Sequence, residues 1–474
     1  MVWNNNLSID QSLQNEVKEM FFVLAEAYTQ RKFPWMLTYP GMYATVGIFM
    51  RDLLLPFFVA RWHATWWGKP FLDFIRLDTT WEENTCLSQI MHEYVQNCLQ
   101  TTRFVSANFV DATWSEIGNV ELVGDIHPHL HTKSLITTSE DKSIVYKKDY
   151  ASDFQLRELF LALYPDCVYM LPMHDVYDKI IVRKYIPIRE ESNDNQEIEA
   201  YYFQLWAMLA LFGMFRWIDL NYDNVICSLP FPIFFDYECL FLPELAKNKD
   251  LYDMFYTWFL DEDTENNISL LRWGYTPSMS YMDPILNLQD GVPYLKWTTT
   301  SNQIAHHIPH LHWSKVQSKN YISHFLSGFT SLAHRLQQKT DIIYDFLATH
   351  TLYTRILLRP TRLYVTLQRE IAMKVALGND RANIQHMLND VLSNSMSVAR
   401  MNKERNYISL ESSNLLEWLI PSRYGNIEDT YVLAANGQLV GTLPHSPKET
   451  WKAHMQNIHN RYTAQQQIIT KLFA

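Results

Sequence analysis

Apolar positions recur at helical spacing from Leu7 to about Gln100, and SIDQSLQNEV offers Ser8 or Asp10 as a cap ahead of the first periodic run. The pattern predicts a helical N-terminal region over residues 1–115. From about Asn119 the texture changes. VELVGDIH, SLITT and KSIVYKK alternate or run β-branched, with a turn-like TSEDK between the last two, and read as short strands of an antiparallel sheet. DFQLRELFLALY returns to a helical period and KIIVRKYIPI reads as a further strand, closing a unit over residues 116–188. The polar, acidic REESNDNQEIEA (189–200) has Ile198 as its single large apolar residue and predicts a linker.

Two apolar stretches bear on a membrane reading. LLLPFFVA (Leu53 to Ala60) is flanked by Arg51, Asp52 and Arg61, and the uncharged YYFQLWAMLALFGMF (Tyr201 to Phe215) is shorter than the ~18 residues a bilayer span requires. Both predict buried segments of a soluble protein with no transmembrane segment. After the second come the loop RWIDLNYDNVICS and the apolar PFPIFFDYECLF, a buried strand ending at Asp236, within a unit over residues 200–345. Helical patterns dominate from Ile322 to about Asn402, and VLAANGQLVGTL signals a hairpin through Asn436-Gly437. Residues 346–474 are thus expected as a largely helical C-terminal region.

Composition changes this picture in a few respects. At 474 residues the chain exceeds the roughly 100–200 that one core organises, so two or three packed units are expected. With 47% hydrophobic residues it can fill those cores, and 13 glycines are too few for Gly-rich sandwiches or barrels. The class is α+β. A net charge of -11 disfavours a broad phosphate-backbone footprint, so nucleic acid is not an expected partner. The five cysteines never form a CxxC pair, which argues against a disulfide framework or structural zinc and fits a reducing cytoplasm. MVWNNNLSIDQ lacks the layout of a secretory signal, although a specialised export system would escape that test, so a secreted effector stays open.

Phosphoryl transfer asks for a lysine on the nucleotide phosphates, oxygen ligands for Mg²⁺ and a residue that orients the attacking hydroxyl. The chain offers these in order: Lys147 at a strand end, Glu158 on the following helix, Asp219 and Asn224 in one loop, and Asp236 at the end of the next strand. A strand lysine followed by a helix glutamate suits the ion pair that holds the lysine toward phosphate, and a D-x-x-x-x-N loop supplies a base and a metal ligand. Asp236 would be the second metal ligand.

GDIH (Gly124 to His127), SIVYKK (Ser143 to Lys148), IDLNYDN (Ile218 to Asn224), PIFFDYECLF (Pro232 to Phe241), SLLRWGYTP (Ser269 to Pro277) and TRILLRPTRLY (Thr354 to Tyr364) resemble, in order, the dehydratase domain of class II (LanM-type) lanthipeptide synthetases. The resemblance covers roughly residues 115 to 474. It implies a divergent, two-lobed fold like that of lipid and protein kinases, with a helical N-terminal region and a helical C-terminal extension. It also implies use of ATP and Mg²⁺ to phosphorylate Ser and Thr of a precursor peptide, followed by elimination of phosphate to dehydroamino acids.

By motif position the resemblance makes Lys147 the phosphate-contacting lysine, Asp219 the catalytic-loop aspartate, and Asn224 and Asp236 the Mg²⁺ ligands, with Glu238 a further family carboxylate. Asp125 and His127 fall on the GD-x-H turn. Arg355 and Thr361 fall on the pair implicated in elimination, where a guanidinium can bind a leaving phosphate bidentately.

The chain also departs from the family pattern. Asn221 stands where the family carries histidine, and an amide can donate to a phosphate oxygen but neither carries charge nor shuttles a proton. PHLHTKSL follows GDIH without a glycine, so either His127 or His129 occupies the family position. With no cysteine after Cys239, the zinc cyclase of full-length synthetases is expected to be absent and ring closure left to a separate cyclase.

The histidine groups His127, His129, His131 and His306, His307, His310, His312 lack a partnering cysteine and are not read as a transition-metal site. Two other functions stay open: a kinase-like transferase that stops at phosphorylation of a protein or lipid, and an inactive pseudo-kinase scaffold.

Overall fold

The computed structural model describes the chain from Gln11 to Gln467 except for residues 35–38, 66–70, 78–79, 114, 124–131, 140, 148–151, 218–223, 235–238, 244–279, 290–291, 302–307, 317, 357, 360, 396–405, 461 and 464–465. The helical beginning is present as α1 (Gln11–Lys32), α2 (Pro40–Thr65), α3 (Phe71–Leu77) and α4 (Thr85–Thr113). The cap expected at Ser8 or Asp10 lies outside the described residues. Helices α1 and α2 approach closely because Gly47 has no side chain; a Cβ there would sit 3.2 Å from the Phe21 carbonyl oxygen and the Phe22 backbone. Among the described residues α2 alone is long and apolar enough to cross a membrane, yet 67% of that stretch is buried inside the protein. Leu53, Leu54 and Phe58 of LLLPFFVA are fully buried there.

The alternating region forms one antiparallel sheet. Strands β1 (Asn119–Val123), β2 (Lys133–Thr137), β3 (Lys142–Lys147), β4 (His174–Val176) and β5 (Ile180–Lys184) lie in the order β1-β2-β3-β5-β4, with α5 (Asp153–Leu163) inserted between β3 and β4. The register places Val120 opposite Ile136 and Val145 opposite Val182, so one face is apolar and packs on Val105 and Phe109 of α4.

The segment predicted as a linker is structured instead. Glu191–Ser192 form β6, and α6 (Asn195–Met214) starts on Asp194, whose carboxylate accepts the Gln196 N–H at 2.8 Å. The charges that suggested a linker are engaged: Glu197 pairs with Arg189 at 2.8 Å and accepts the Ser192 hydroxyl at 2.5 Å. From Leu205 to Met214 every residue of α6 is buried, as befits a helix at the centre of a core.

Two hairpins follow, β7 (Val225–Ser228) with β8 (Phe231–Phe234) and β9 (Ser280–Gln289) with β10 (Val292–Ser301). Short strands β11 (His310–Leu311) and β12 (Ser314–Lys315) join β6. Helix α7 (Ile322–Gln338) then crosses α6 at Gly328, where a Cβ would sit 2.1 Å from the Phe203 carbonyl oxygen. After α8 (Thr340–Thr349) and β13 (Tyr353–Arg355) come α9 (Thr361–Ala376), α10 (Arg381–Asn394) and α11 (Asn406–Leu416). The chain continues through β14 (Arg423–Asn426), β15 (Tyr431–Ala434), β16 (Leu439–Thr442) and α12 (Pro447–Gln456). Gly437, at φ 80°, turns the β15–β16 hairpin read from Asn436-Gly437.

The cores do not follow chain order. Leu367 and Ile371 of α9, Leu388 of α10 and Leu415 of α11 share one core with the N-terminal helices. Trp451 and Met455 of α12 join the other large core, built around α5 to α8.

Candidate functional site

Apart from Asn224, the residues read as base and metal ligands fall in two short segments, 218–223 and 235–238. Asp219, Asn221, Asp236 and Glu238 therefore lie outside the described residues, as do Asp125 and His127. The flanks of the two segments are described, and they are joined at both ends. At one end Val225 of β7 pairs with Phe234 of β8. Asn224, 9% exposed, directly precedes that pair. At the other end the Phe241 N–H donates to the Phe215 carbonyl at 2.7 Å and the Leu242 N–H to the Arg216 carbonyl at 3.2 Å. Arg216 Nε donates in return to the Leu242 carbonyl at 3.0 Å.

The flanks of the two segments thus meet at two pinned points. Arg216 and Phe241 adopt φ of 53° and 57°, a left-handed conformation that costs a non-glycine residue free energy and holds only where its surroundings fix it. Aromatic packing supplies those surroundings. Phe212 meets Trp217 edge-on at 4.1 Å and Phe234 at 5.0 Å, and Phe215 meets Phe241 at 5.6 Å between ring centroids.

Lys147 ends β3 opposite Ile180 and is partly exposed. Glu158 is exposed on α5. Helix geometry accounts for that exposure. Leu156, Leu159, Phe160 and Leu163 make the buried stripe of α5, and Glu158 lies on its far side.

Arg355 lies at the end of β13 and is 8% exposed. Its strand is tethered on two sides. The Tyr353 N–H donates to Ser152 Oγ at 2.7 Å, and the Thr354 hydroxyl donates to the Leu240 carbonyl. Ser152, the N-cap residue of α5, follows Lys147 in the chain, and Leu240 follows Asp236 and Glu238. Strand β13 is therefore linked to the segments downstream of the lysine and of the carboxylates. Thr361 opens α9.

Between Arg355 and Tyr364 the backbone is anchored by a buried polar group that the sequence reading missed. Glu411 accepts Arg359 Nε at 3.2 Å and the Tyr364 hydroxyl at 2.5 Å, while Arg359 Nη1 donates to the Ser395 carbonyl at 2.9 Å. Burial, and then the charge of Glu411, push the Tyr364 phenol well above its ordinary range. The available signal was Glu411 itself, the lone carboxylate of helix α11.

A donor set of one amide and carboxylates would suit Mg²⁺, and of the expected ligands Asn224 alone lies among the described residues. Among the described residues no group of three His, Cys, Asp or Glu could hold a metal ion.

Among solved structures, the chain matches the "Crystal structure of choline kinase LicA from Streptococcus pneumoniae" at 10% identity, over 67% of this chain and 99% of that one. The TM-score of 0.17 is too low for that likeness to bear on fold or activity. No curated protein matches the chain. Residues 84–424 match the family described as Domain of unknown function (DUF4135), and the chain belongs to that family.

Proposed function

We propose that this protein is a kinase-like phosphotransferase that uses ATP and Mg²⁺ to phosphorylate Ser or Thr of a peptide and then eliminates the phosphate, as a lanthipeptide-type dehydratase. The observation that carries the reading is the double pinning of segments 218–223 and 235–238, whose flanks meet at Val225–Phe234 and at Phe215–Phe241. The flanks of the D-x-x-x-x-N loop and of the strand-end aspartate meet there, which supports a reading in which both serve one phosphoryl-transfer site. The antiparallel sheet with a lysine ending its third strand and a helix directly after is the second support. DUF4135, a domain found in lanthipeptide-related proteins, agrees with the resemblance in class.

In this reading Lys147 holds the nucleotide phosphates, and Asn224 and Asp236, with Glu238 beside them, hold the metal. Bound ATP and Mg²⁺ supply the γ-phosphoryl group and neutralise its charge. Asp219 orients the substrate hydroxyl and accepts its proton. Asn221 donates a hydrogen bond to a phosphate oxygen without adding charge. In the second step the phosphorylated residue loses its α proton, Cα=Cβ forms, and the Cβ–O bond breaks. Hydrogen phosphate leaves with the oxygen, the Cβ–O electron pair and, in net, the proton lost from Cα. Arg355, with Thr361, offsets the charge of the departing phosphate.

A precursor peptide rich in Ser, Thr and Cys, incubated with the protein, ATP and Mg²⁺, tests the proposal by product mass. Net loss of water is the expected outcome. A stable gain of phosphate would assign the protein to simple phosphorylation, an alternative for which Asn221 in the catalytic loop leaves room. Absence of both, with no thermal stabilisation by ATP, would point to a scaffold.

A further inference from the structure

We infer that Thr354 is a positioning residue for the elimination step, its buried hydroxyl fixing the strand of Arg355 against the segment that follows Asp236 and Glu238. The inference rests on the dehydratase reading above.

Strand β13 is only three residues long. One edge is paired, with Tyr353 opposite Asn426, Thr354 opposite Gly425 and Arg355 opposite Tyr424. Side chains alternate along a strand, so Thr354 and Arg355 point to opposite faces and any effect of Thr354 on the guanidinium passes through the backbone. Thr354 is 2% exposed, and a buried hydroxyl must find a hydrogen-bond partner. A threonine commonly satisfies itself on its own local backbone. Here the contact with the neighbouring Arg355 carbonyl is long, at 3.5 Å, while the hydroxyl donates to Leu240, 114 residues away in the chain. The packing leaves the strand little play, since a Cβ at Gly425 would meet Ile356 Cδ1 at 2.8 Å.

Elimination and phosphorylation should respond differently to loosening this tether. The departing phosphate takes the Cβ–O electron pair, and Arg355 must already be in place to offset that charge, because preorganised groups lose effect when misplaced by a fraction of an ångström. Transfer of the phosphoryl group depends on Lys147, Asp219 and the metal ligands, none of which lies on β13. A fault in the tether therefore shows as a changed partition between phosphopeptide and dehydrated peptide.

The experiment compares the full chain with Thr354→Val and Thr354→Ser, using ATP, Mg²⁺ and a Ser/Thr/Cys-rich precursor peptide, and reads the ratio of phosphorylated to dehydrated product by mass spectrometry. Valine keeps the branched shape and removes the donor. The ratio is expected to rise about five- to tenfold in Thr354→Val and to return toward wild type in Thr354→Ser. Chemically phosphorylated peptide, supplied without ATP, should show the same slowing, and Thr354→Ala should behave as Thr354→Val does. An unchanged ratio in Thr354→Val, an equal fall of both products, or no rescue by serine overturns the inference. Arg355→Ala, run alongside, separates the two failures. If it accumulates phosphopeptide while Thr354→Val does not, Thr354 alone is misassigned; if wild type never dehydrates any peptide, the dehydratase reading falls and takes the inference with it.

Discussion

The Phe241 amide donates to the Phe215 carbonyl at 2.7 Å, tying the end of the central helix α6 to the stretch just past Asp236 and Glu238. In the proposed function, base and metal ligands act together only if their separate segments are held in register, and this bond ties the described flanks of those segments. Removing a member of the set should therefore cost activity out of proportion to stability. Lys147→Ala and Asp236→Ala are each expected to lower phosphorylation by at least about a hundredfold, with little change in melting temperature. Phosphate transfer from ATP to the peptide measures the first quantity and a thermal melt the second. Phosphorylation surviving in Lys147→Ala would remove that lysine from the site.

Glu411 is expected to matter for folding. Its carboxylate is fully buried and holds both Arg359 and Tyr364. Glu411→Ala strands the Arg359 guanidinium without its counter-charge, which costs about 3–5 kcal/mol. A denaturant titration should show the loss as a lower midpoint. A change under about 1 kcal/mol would mean that water or a rearranged neighbour takes the place of the carboxylate.

Gly328 is placed where α7 crosses α6, with no room for a methyl group against the Phe203 carbonyl. Gly328→Ala gains helix propensity yet must push the two helices apart, and the overpacking dominates. A net destabilisation of about 1–3 kcal/mol is expected from chemical denaturation. A stabilised variant would show that the crossing relaxes without cost.

Glu417 gives a pH signature. Burial first, and then the charge of Glu93, raise its carboxyl pKa, with Arg381 opposing. A carboxyl whose folded pKa is raised favours the fold when protonated. Its contribution is present below the unfolded pKa of about 4.3 and is lost as pH rises through the folded value. Glu417→Gln should therefore melt higher than wild type at neutral pH, with the gap closing below about pH 4. A gap that widens on acidification would reverse the sign of the assignment.

Much of the local structure was legible from patterning, and the failures have physical causes. Strands β1 to β3 and the β15–β16 hairpin follow alternation and the Asn436-Gly437 turn. The stretch 189–200 misled because its charges were read as solvated, whereas Arg189, Ser192 and Glu197 satisfy one another and Ile198 is buried. The exposure of Glu158 was legible too, since the apolar stripe Leu156, Leu159, Phe160 and Leu163 sets it on the opposite side of the helix.

The packing of α9 to α11 on the N-terminal helices leaves no local trace, since it joins residues hundreds of positions apart. At the candidate site, the order of polar residues was readable. The pins were not, because they are main-chain bonds at Arg216 and Phe241, and no residue type announces a left-handed turn there.

Helix α12 and the residues just after it have a consequence for how the molecule comes into being. The Trp451 indole N–H donates to the Met214 carbonyl at 3.0 Å, and the Tyr462 hydroxyl to the Ala210 carbonyl at 2.9 Å, so the tail closes over the final turns of α6. During synthesis those turns emerge long before their cover does. Until Trp451 and Tyr462 have emerged, the Met214 and Ala210 carbonyls lack these donors and the final turns of α6 stay uncovered on that side.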